Sequence, residues 1–334
     1  MRGFRDVYAL LLAALFLLFV PASGEARPTM LHVSYDTTRE LFADYNTWFQ
    51  EQRIDRGKEK PRLRMSHGAS GKQARGITEG LPGDVVSLAL GYDMEELAKR
   101  GHVHEEWAIQ FPHQGTPFYS VVVLMVREGN PKNIQGWADL VRDDVTVLTP
   151  NPKTSGAARW GYLAAWDYAS TSYKTTEEAE AFMRDWLIRV PVFDTGARTS
   201  TTNFIRRGKG DVLITTETEA KLAKHYFGEN AFQIIIPDLT LRMEPKVAIA
   251  SHRRQKESSL EIARRYVAGL YEATPQAMMQ THYFRSPLYP HPENLPSLKG
   301  ITMRSIDDMG GWQAMHEKHF AESALFDRLS RRDR

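Results

Sequence analysis

The chain of 334 residues carries 43 lysine and arginine residues against 41 aspartate and glutamate residues, which gives a formal net charge of +2. This near-neutral balance argues against a nucleic-acid partner, because nucleic-acid-binding domains concentrate basic charge. The chain contains no cysteine, which excludes disulfides and a lipid anchor on an N-terminal cysteine.

The first 26 residues have the layout of a secretory signal peptide. Two arginines lie within the first five residues, an apolar run covers residues 7–20, and small or polar residues follow at 21–26. The apolar run of about 14 residues is shorter than the roughly 20 that span a bilayer. We therefore expect cleavage after Gly24 or Ala26, which leaves a mature chain of about 308 residues, long enough for two lobes.

Apolar runs of strand length alternate with helical patterns along the rest of the chain, which is typical of an α/β fold with largely parallel sheets. The predicted strands cover residues 31–34, 84–90, 121–126, 145–148, 212–214 and 234–236. Helical spacing groups Leu41, Phe42, Tyr45, Trp48 and Phe49 after the first strand.

Two proline-containing extended stretches, residues 112–119 and 237–245, are the predicted crossings between the lobes. This predicts a first lobe built from residues 27–116 and 246–334, and a second lobe from residues 117–245. Both chain ends then belong to the first lobe.

Three loops rich in Ser, Thr, Gly or Asp each follow a strand and precede a helix. They cover residues 34–40, 66–73 and 151–160. In the first loop Thr37 and Glu40 have capping-box spacing, which predicts that a helix begins there. Helix N-termini leave unpaired N–H donors and carry partial positive charge, so three of them that converge would form an anion site.

Other chemistry fits these loops poorly. Residues 68–72 resemble a phosphate-binding P-loop, but two residues separate the glycines instead of four, and Gln73 stands at the magnesium-binding position. Ser70 and His67 lack the G-x-S-x-G context of a hydrolase nucleophile, and no orienting acid is evident. No H-x-x-x-H pattern or cysteine cluster indicates a metal, and we expect no cofactor.

At these residues the chain resembles the periplasmic sulfate- and thiosulfate-binding proteins of bacterial ABC importers. The resemblance runs from about residue 30 to the terminal GGWQAMHEKHF. Its matching segments are VSYDTTREL at 33–41, SHGASGKQA at 66–74, GDVVSLAL at 83–90, LVRDDVTVLTPNPKTSGAARWGYLAAW at 140–166, FDTGARTSTTNF at 193–204 and GDVLITTETEA at 210–220.

The resemblance implies a two-lobed, type II periplasmic binding protein. Each lobe would have a central, mostly parallel sheet flanked by helices, with a dehydrated anion in the cleft between the lobes. The implied ligand donors are the hydroxyl of Ser155 and the backbone N–H groups of Asp36, Ser70, Gly156, Ala157 and Ala197. Ala157 replaces a glycine of the family, and its contact should survive because it is made by the backbone.

Thr216 is the larger departure from the family pattern. Sulfate binders of this family typically place a tryptophan there whose indole N–H donates to the ligand, and thiosulfate-type relatives place a phenylalanine. Threonine is smaller, and its hydroxyl can accept as well as donate. We hypothesise that Thr216 weakens affinity and blunts the rejection of protonated oxyanions.

Four charged or titratable residues flank the loops: His67, Lys72, Arg159 and Arg198. The resemblance implies that they brace the loops or pair with carboxylates, and direct contact with the anion is the alternative. The Asp36 carboxylate should turn away from the ligand to cap a helix or to pair with an arginine such as Arg198.

The sequence therefore predicts a periplasmic, monomeric, non-enzymatic subunit of an ABC importer that binds sulfate or thiosulfate in a closing cleft and docks to a membrane permease. One alternative is a binder of another tetrahedral oxyanion such as phosphate or molybdate. Others are a sensory binding subunit and a periplasmic enzyme acting on sulfate esters.

Overall fold

The computed structural model describes residues 27–55, 59–253, 255–289 and 294–331. The predicted signal peptide lies outside these residues. Within the described part of the chain, no helix is long and apolar enough to cross a bilayer.

The first lobe is built on a four-stranded sheet with the order β2-β1-β3-β9. Its strands are β1 Thr29–Tyr35, β2 Arg62–Gly68, β3 Val85–Leu88 and β9 Lys246–Ile249. The first three strands are parallel, and β9 pairs antiparallel with β3. The carboxyl ends of the three parallel strands therefore lie at the same edge of the sheet.

Five helices belong with this sheet: α1 Arg39–Asp55, α2 Ser70–Thr78, α3 Gly91–Lys99, α8 Glu257–Gly269 and α9 Ala273–Thr281. Leu41, Phe42, Tyr45 and Phe49 of α1 are buried, as their spacing predicts, and Trp48 packs at the margin of the core. In α8 the apolar positions Ala263 and Val267 are also fully buried. Apolar periodicity thus predicted which faces of these helices form the core.

The second lobe is built on a mixed sheet with the order β10-β8-β4-β6-β5, and β7 also pairs with β4. Its strands are β4 Ser120–Arg127, β5 Val147–Leu148, β6 Val212–Thr216, β7 Phe232–Ile235, β8 Leu239–Met243 and β10 Thr302–Arg304. Strand β4 runs antiparallel to β6, β7 and β8, whereas β5 is parallel to β6. The expectation of a largely parallel sheet thus describes the first lobe better than the second.

Four helices follow strands or loops of the second lobe: α4 Gly156–Ser172, α5 Thr176–Ile188, α6 Ala197–Ile205 and α7 Glu217–Phe227. The largest fully buried side chains include Trp160 and Tyr162 of α4 and Trp186 of α5. Tyr162 and Trp186 lie against each other with ring centroids 6.4 Å apart, and this contact joins α4 to α5.

The C-terminal segment lies with the second lobe, which differs from the sequence-based division at residue 246. Strand β10 pairs with β8, and the segment continues through α10 Gly311–Met315, a π-helical turn at His316–Phe320 and α11 Leu325–Leu329. Phe326 packs edge-on against Tyr162 of α4, with ring centroids 5.7 Å apart. The chain therefore returns to the second lobe after it has completed the first.

The first crossing between the lobes contains a left-handed turn. His113 and Gln114 have φ values of 53° and 54°, and Gly115 follows with φ of 67°. A Cβ at Gly115 would lie 2.8 Å from the carbonyl oxygen of Val247, so a side chain is excluded there. Because β8 extends to Met243, the second crossing is confined to the residues that join it to β9.

Candidate functional site

The site lies where helices of the two lobes begin opposite each other. A Cβ built at Gly156, the first residue of α4, would lie 3.2 Å from the Cβ of Ser70, the first residue of α2. A Cβ at Gly196, which precedes α6, would lie 3.8 Å from the Cβ of Ala69. The N-termini of α2, α4 and α6 therefore converge, and the lobes touch around them.

A fourth helix start joins this group at the end of β1. Residues Asp36–Thr38 form a 3-10 turn that leads directly into α1, so no separate capping box forms at Thr37 and Glu40. The predicted helix start at this loop is confirmed, although the helical turn already begins at Asp36 and not at Thr37. Helix α6, which begins with Ala197, packs against this turn from the second lobe.

Ser155 is the N-cap of α4 and is almost fully buried. Its hydroxyl oxygen accepts a hydrogen bond from the backbone N–H of Ala158 at 3.4 Å. A hydroxyl that accepts in this way keeps its own proton for another acceptor. The first N–H groups of α4, at Gly156 and Ala157, have no acceptor within the helix.

Thr216 has the same arrangement at the end of β6. It is the N-cap of α7, and its hydroxyl accepts from the backbone N–H of Glu219 at 3.3 Å. Only 2% of the residue is exposed. The cap occupies one lone pair of the hydroxyl and leaves its proton available, so Thr216 is better placed to donate than to accept.

Ser70 differs from these two residues, because its hydroxyl is already used. The oxygen accepts from the backbone N–H of Ala89 at 3.0 Å, and the hydroxyl donates to the carboxylate of Asp93 at 3.3 Å. Burial raises the pKa of Asp93, while Arg159 and the Ser70 donor oppose that rise. Only the backbone N–H of Ser70 remains to bind a ligand.

Arg198 joins the two lobes. The sequence suggested that Arg198 pairs with Asp36, but its partners are two other carboxylates. Its guanidinium donates to Glu40 of α1 at 3.2 and 3.4 Å, and its Nε lies 3.2 Å from Glu219 Oε1. Burial raises the pKa of Glu219, an effect that the Arg198 charge opposes. Asp36 instead lies 3.5 Å from Arg39, three residues further along the chain.

Arg159, Lys72 and His67 occupy three different environments. Arg159 donates to the carbonyl of Pro152 at 2.9 Å, and its guanidinium lies over the ring of Phe320. Lys72 is exposed on α2, whereas His67 is half-buried at the end of β2. Burial, and secondarily the charge of Arg39, lowers the pKa of His67. Arg198 is not a free cation, since it pairs with Glu40 and Glu219, whereas Arg159 is held by the Pro152 carbonyl and is influenced by the charge of Asp93.

The arrangement provides backbone N–H donors at the starts of α1, α2, α4 and α6. It also provides two hydroxyl donors, at Ser155 and Thr216. Ser70 and His67 do not form a nucleophile–base pair, because the Ser70 hydroxyl is held by Ala89 and Asp93. The described residues contain no group of three or more His, Asp or Glu side chains able to hold a metal ion. Such a set of donors can hold an anion without a matching countercharge.

Comparison with known proteins agrees with this geometry. A sequence profile described as "Bacterial extracellular solute-binding protein" matches residues 33–285. The chain belongs to the bacterial extracellular solute-binding protein family. It is 40% identical over 309 residues to the sulfate-binding protein of Escherichia coli (strain K12), with 91% of this chain and 93% of that protein covered.

Two further relatives of this solute-binding protein cover nearly the whole chain. The thiosulfate-binding protein of Pseudomonas aeruginosa is 34% identical over 319 residues, which are 93% of this chain and 95% of that protein. The structure of the sulfate-binding protein SubI from Mycobacterium tuberculosis H37Rv superposes with a TM-score of 0.76 at 28% identity, covering 88% and 100% of the two chains. These matches confirm the family resemblance and the two-lobed α/β fold.

Sequence reasoning missed several contacts that hold the lobes together. The indole Nε1 of Trp160 on α4 donates to the carbonyl of Ala89 across the cleft at 2.8 Å. Glu40 and Glu219 flank Arg198, although the sequence had pointed to Glu40 only as part of a capping box and had not pointed to Glu219. The Thr-x-x-Glu spacing of Thr216 and Glu219 is a capping-box signal that could have predicted the helix start at α7.

Proposed function

We propose that this solute-binding protein captures sulfate or thiosulfate outside the cytoplasm and delivers it to the permease of an ABC importer. The observation that carries the proposal is the convergence of helix N-termini from both lobes, of which α4 is capped by the Ser155 hydroxyl with a spare proton. The neighbouring helix α7, whose Glu219 lies 3.2 Å from Arg198 of α6, is capped by Thr216 in the same way. The printed names of the relatives support the choice of anion.

The proposed ligand donors are five backbone N–H groups and two hydroxyls. The N–H groups belong to Asp36, Ser70, Gly156, Ala157 and Ala197, and the hydroxyls to Ser155 and Thr216. Sulfate is doubly charged and carries only acceptors at neutral pH, so a site made of donors satisfies it without a countercharge. Arg198 pairs with Glu40 and Glu219, Arg159 donates to the carbonyl of Pro152, and both arginines brace the loops.

Binding and closure are coupled in this proposal, because the donors come from both lobes. Asp36 and Ser70 lie on the first lobe, and Ser155, Ala197 and Thr216 lie on the second. An anion that contacts both sides stabilises the closed arrangement relative to an open one. The permease would then distinguish the loaded protein from the empty protein by its shape.

Selectivity against protonated oxyanions follows from the same donors. Hydrogen phosphate carries an O–H that needs an acceptor, and a donor-only site leaves that proton unpaired at a cost of about 1–3 kcal/mol. Thr216 retains one lone pair beyond its cap bond, so this site would reject hydrogen phosphate less strongly than a site with a tryptophan there.

The remaining features of the proposal concern location and partners. We infer that the N-terminal signal directs the chain to the periplasm, where it acts as a monomer without a cofactor. Recovery of the protein in the osmotic-shock fraction, and its elution as a monomer in gel filtration, would test both statements. Hydrolysis of an aryl sulfate by the purified protein would instead favour a periplasmic sulfate-ester enzyme.

Calorimetric titration with sulfate, thiosulfate, phosphate and molybdate tests the anion assignment. We expect one site per chain, filled by sulfate or thiosulfate in preference to the other two anions. Undetectable binding of all four anions at millimolar concentration would overturn the proposal. Tighter binding of phosphate or molybdate would replace the assigned ligand.

The variant Thr216→Trp tests the role given to Thr216. The indole N–H replaces the threonine hydroxyl with a donor that has no lone pair and shares no cap bond, so sulfate affinity should rise by about 1–2 kcal/mol. The preference for sulfate over phosphate should widen in the same variant. An unchanged affinity for sulfate would show that position 216 does not contact the anion.

A further inference from the structure

The C-terminal segment contacts the first lobe at the start of α3, through residues that are not among the proposed ligand donors. The imidazole of His316 stacks on the ring of Tyr92, with centroids 3.9 Å apart and planes 11° from parallel. Trp312 lies one turn before His316, and a Cβ built at Gly91 would be 3.1 Å from its side chain. Two aromatic side chains of the segment thus pack against the N-terminal turn of α3.

The same segment is fastened to the second lobe. The Lys153 ammonium donates to the carbonyl oxygens of Phe320 and Ala321 at 2.9 and 3.1 Å, and to the carboxylate of Asp327 at 2.8 Å. Phe320 also packs edge-on against Tyr162, with centroids 5.3 Å apart. His316 should therefore move with the second lobe, and its stack on Tyr92 connects the two lobes.

Arg159 links this stack to the helix that begins at Ser155. Its Nη1 lies 3.5 Å from His316 Nδ1, and its guanidinium carbon lies 5.8 Å from the centroid of Tyr92. Burial, together with the Arg159 charge, lowers the pKa of His316 to about 4. A neutral imidazole can accept from Arg159 while it stacks on Tyr92 without placing a second positive charge there.

The first-lobe side of the stack is equally close to the site. Helix α3 begins directly after Ala89 and Leu90, and Ala89 accepts from Trp160 and donates to Ser70. Gly156 of α4 packs against both Ala89 and Leu90. Movement of α3 away from the second lobe would therefore break the stack and open the cleft at the same time.

We infer that Tyr92 and His316 form an aromatic clasp that holds the lobes closed and so sets the residence time of the anion. The inference rests on the proposed capture of an anion by closure. Neither residue belongs to the proposed ligand donors, so the clasp is a positioning contact. The π-helical turn that begins at His316 fits this role, since such turns often occur at functional sites.

Rapid-mixing measurements of sulfate binding and release test the clasp. In His316→Ala we expect release to become roughly 3- to 10-fold faster, the range of an aromatic pair, while the association rate changes less than about twofold. His316→Phe keeps a stacking ring and should release sulfate at close to the wild-type rate. Tyr92→Ala should match His316→Ala, and the double variant should add little further effect.

His225→Ala is the control, because His225 is an exposed histidine of the second lobe whose ring packs on its neighbour Tyr226. Its release rate should equal that of the wild type. Unchanged release from His316→Ala, or release from His316→Phe as fast as from His316→Ala, would overturn the clasp and leave anion capture intact. Failure of the wild type to bind any anion would overturn the proposed function, and the clasp with it.

Discussion

The two sides of the cleft present their donors in different ways. On the first lobe the hydroxyls of Ser70 and Ser34 are already paired within the protein: Ser70 with Ala89 and Asp93, and Ser34 with Thr38. On the second lobe Ser155 and Thr216 cap their helices through the oxygen and keep the proton.

In the proposed site, the first lobe therefore binds the anion through backbone N–H groups, and the second lobe binds it through backbone N–H groups and side-chain hydroxyls. The first lobe offers N–H groups that no conservative substitution removes, whereas the second lobe adds hydroxyls that a single substitution can delete. Changes of anion preference should therefore concentrate on the second lobe. Thr216, where the family resemblance implies an aromatic residue, is the second-lobe position that we expect to matter most for the choice of anion.

Ser155→Ala should have the largest effect on anion binding. The variant removes a hydroxyl that donates to a charged ligand, so we expect sulfate affinity to fall by about 1.5–3 kcal/mol, or roughly 10- to 150-fold. Calorimetry measures the loss, and small-angle scattering should show less compaction on addition of sulfate. Thr175→Ala is the control, since Thr175 caps α5 through an equivalent bond to Glu178 at 3.2 Å. A similar loss of affinity in that control would contradict the assignment.

The two lobes are alike in carrying a buried histidine each. His32 lies between Ser87 and Tyr266 in the first lobe, and His319 lies beside Tyr162 in the second. Burial lowers the pKa of both imidazoles, that of His319 to about 3. Because the folded state holds them neutral, their contribution to stability is complete above about pH 6.5 and declines as the pH falls below it.

For His319 this loss should reach about 2 kcal/mol between pH 6.5 and pH 5. Urea unfolding of the anion-free protein across this range measures it. His319→Phe should flatten the pH dependence, because a phenyl ring fits among the aromatic neighbours Trp166 and Phe320 and does not titrate. The exposed His225→Gln should leave the slope unchanged. A slope identical in His319→Phe and the wild type would refute the explanation.

Ser70→Ala tests the contrast between the lobes on the first lobe. The variant leaves the Ala89 N–H and the Asp93 carboxylate without their partner, so stability should fall by about 1–2 kcal/mol. Sulfate affinity should change less than about threefold, because the proposed ligand donor at this position is the backbone N–H. If affinity fell as far as in Ser155→Ala, the Ser70 hydroxyl would be a ligand contact and the contrast would be lost.

Local patterns predicted the parts of this molecule that depend on local interactions. The runs at residues 121–126 and 212–214 became the buried strands β4 and β6, because each is apolar at every position. The Ser- and Gly-rich loops were recognisable because helix starts favour those residues. Six ordered motifs then identified the family.

Contacts between distant segments were not predictable in this way. Strand β10 has three mostly exposed residues and no apolar run, so nothing in the sequence signalled that it would join the second sheet. Which carboxylate Arg198 meets depends on how α6 packs against α1, and the partner is Glu40 rather than Asp36. The stack of His316 on Tyr92 likewise joins residues far apart in the chain.

Thr216→Val should have the smallest effect and the most specific one. Valine keeps the branched shape but removes both the cap bond to Glu219 and the proposed donor to the anion. Stability and sulfate affinity should each fall by about 1 kcal/mol. Thr216→Ser retains the hydroxyl and should restore both quantities, as measured by urea unfolding and calorimetry. If stability fell without any change in affinity, Thr216 would be only a helix cap, and selectivity on the second lobe would depend on Ser155.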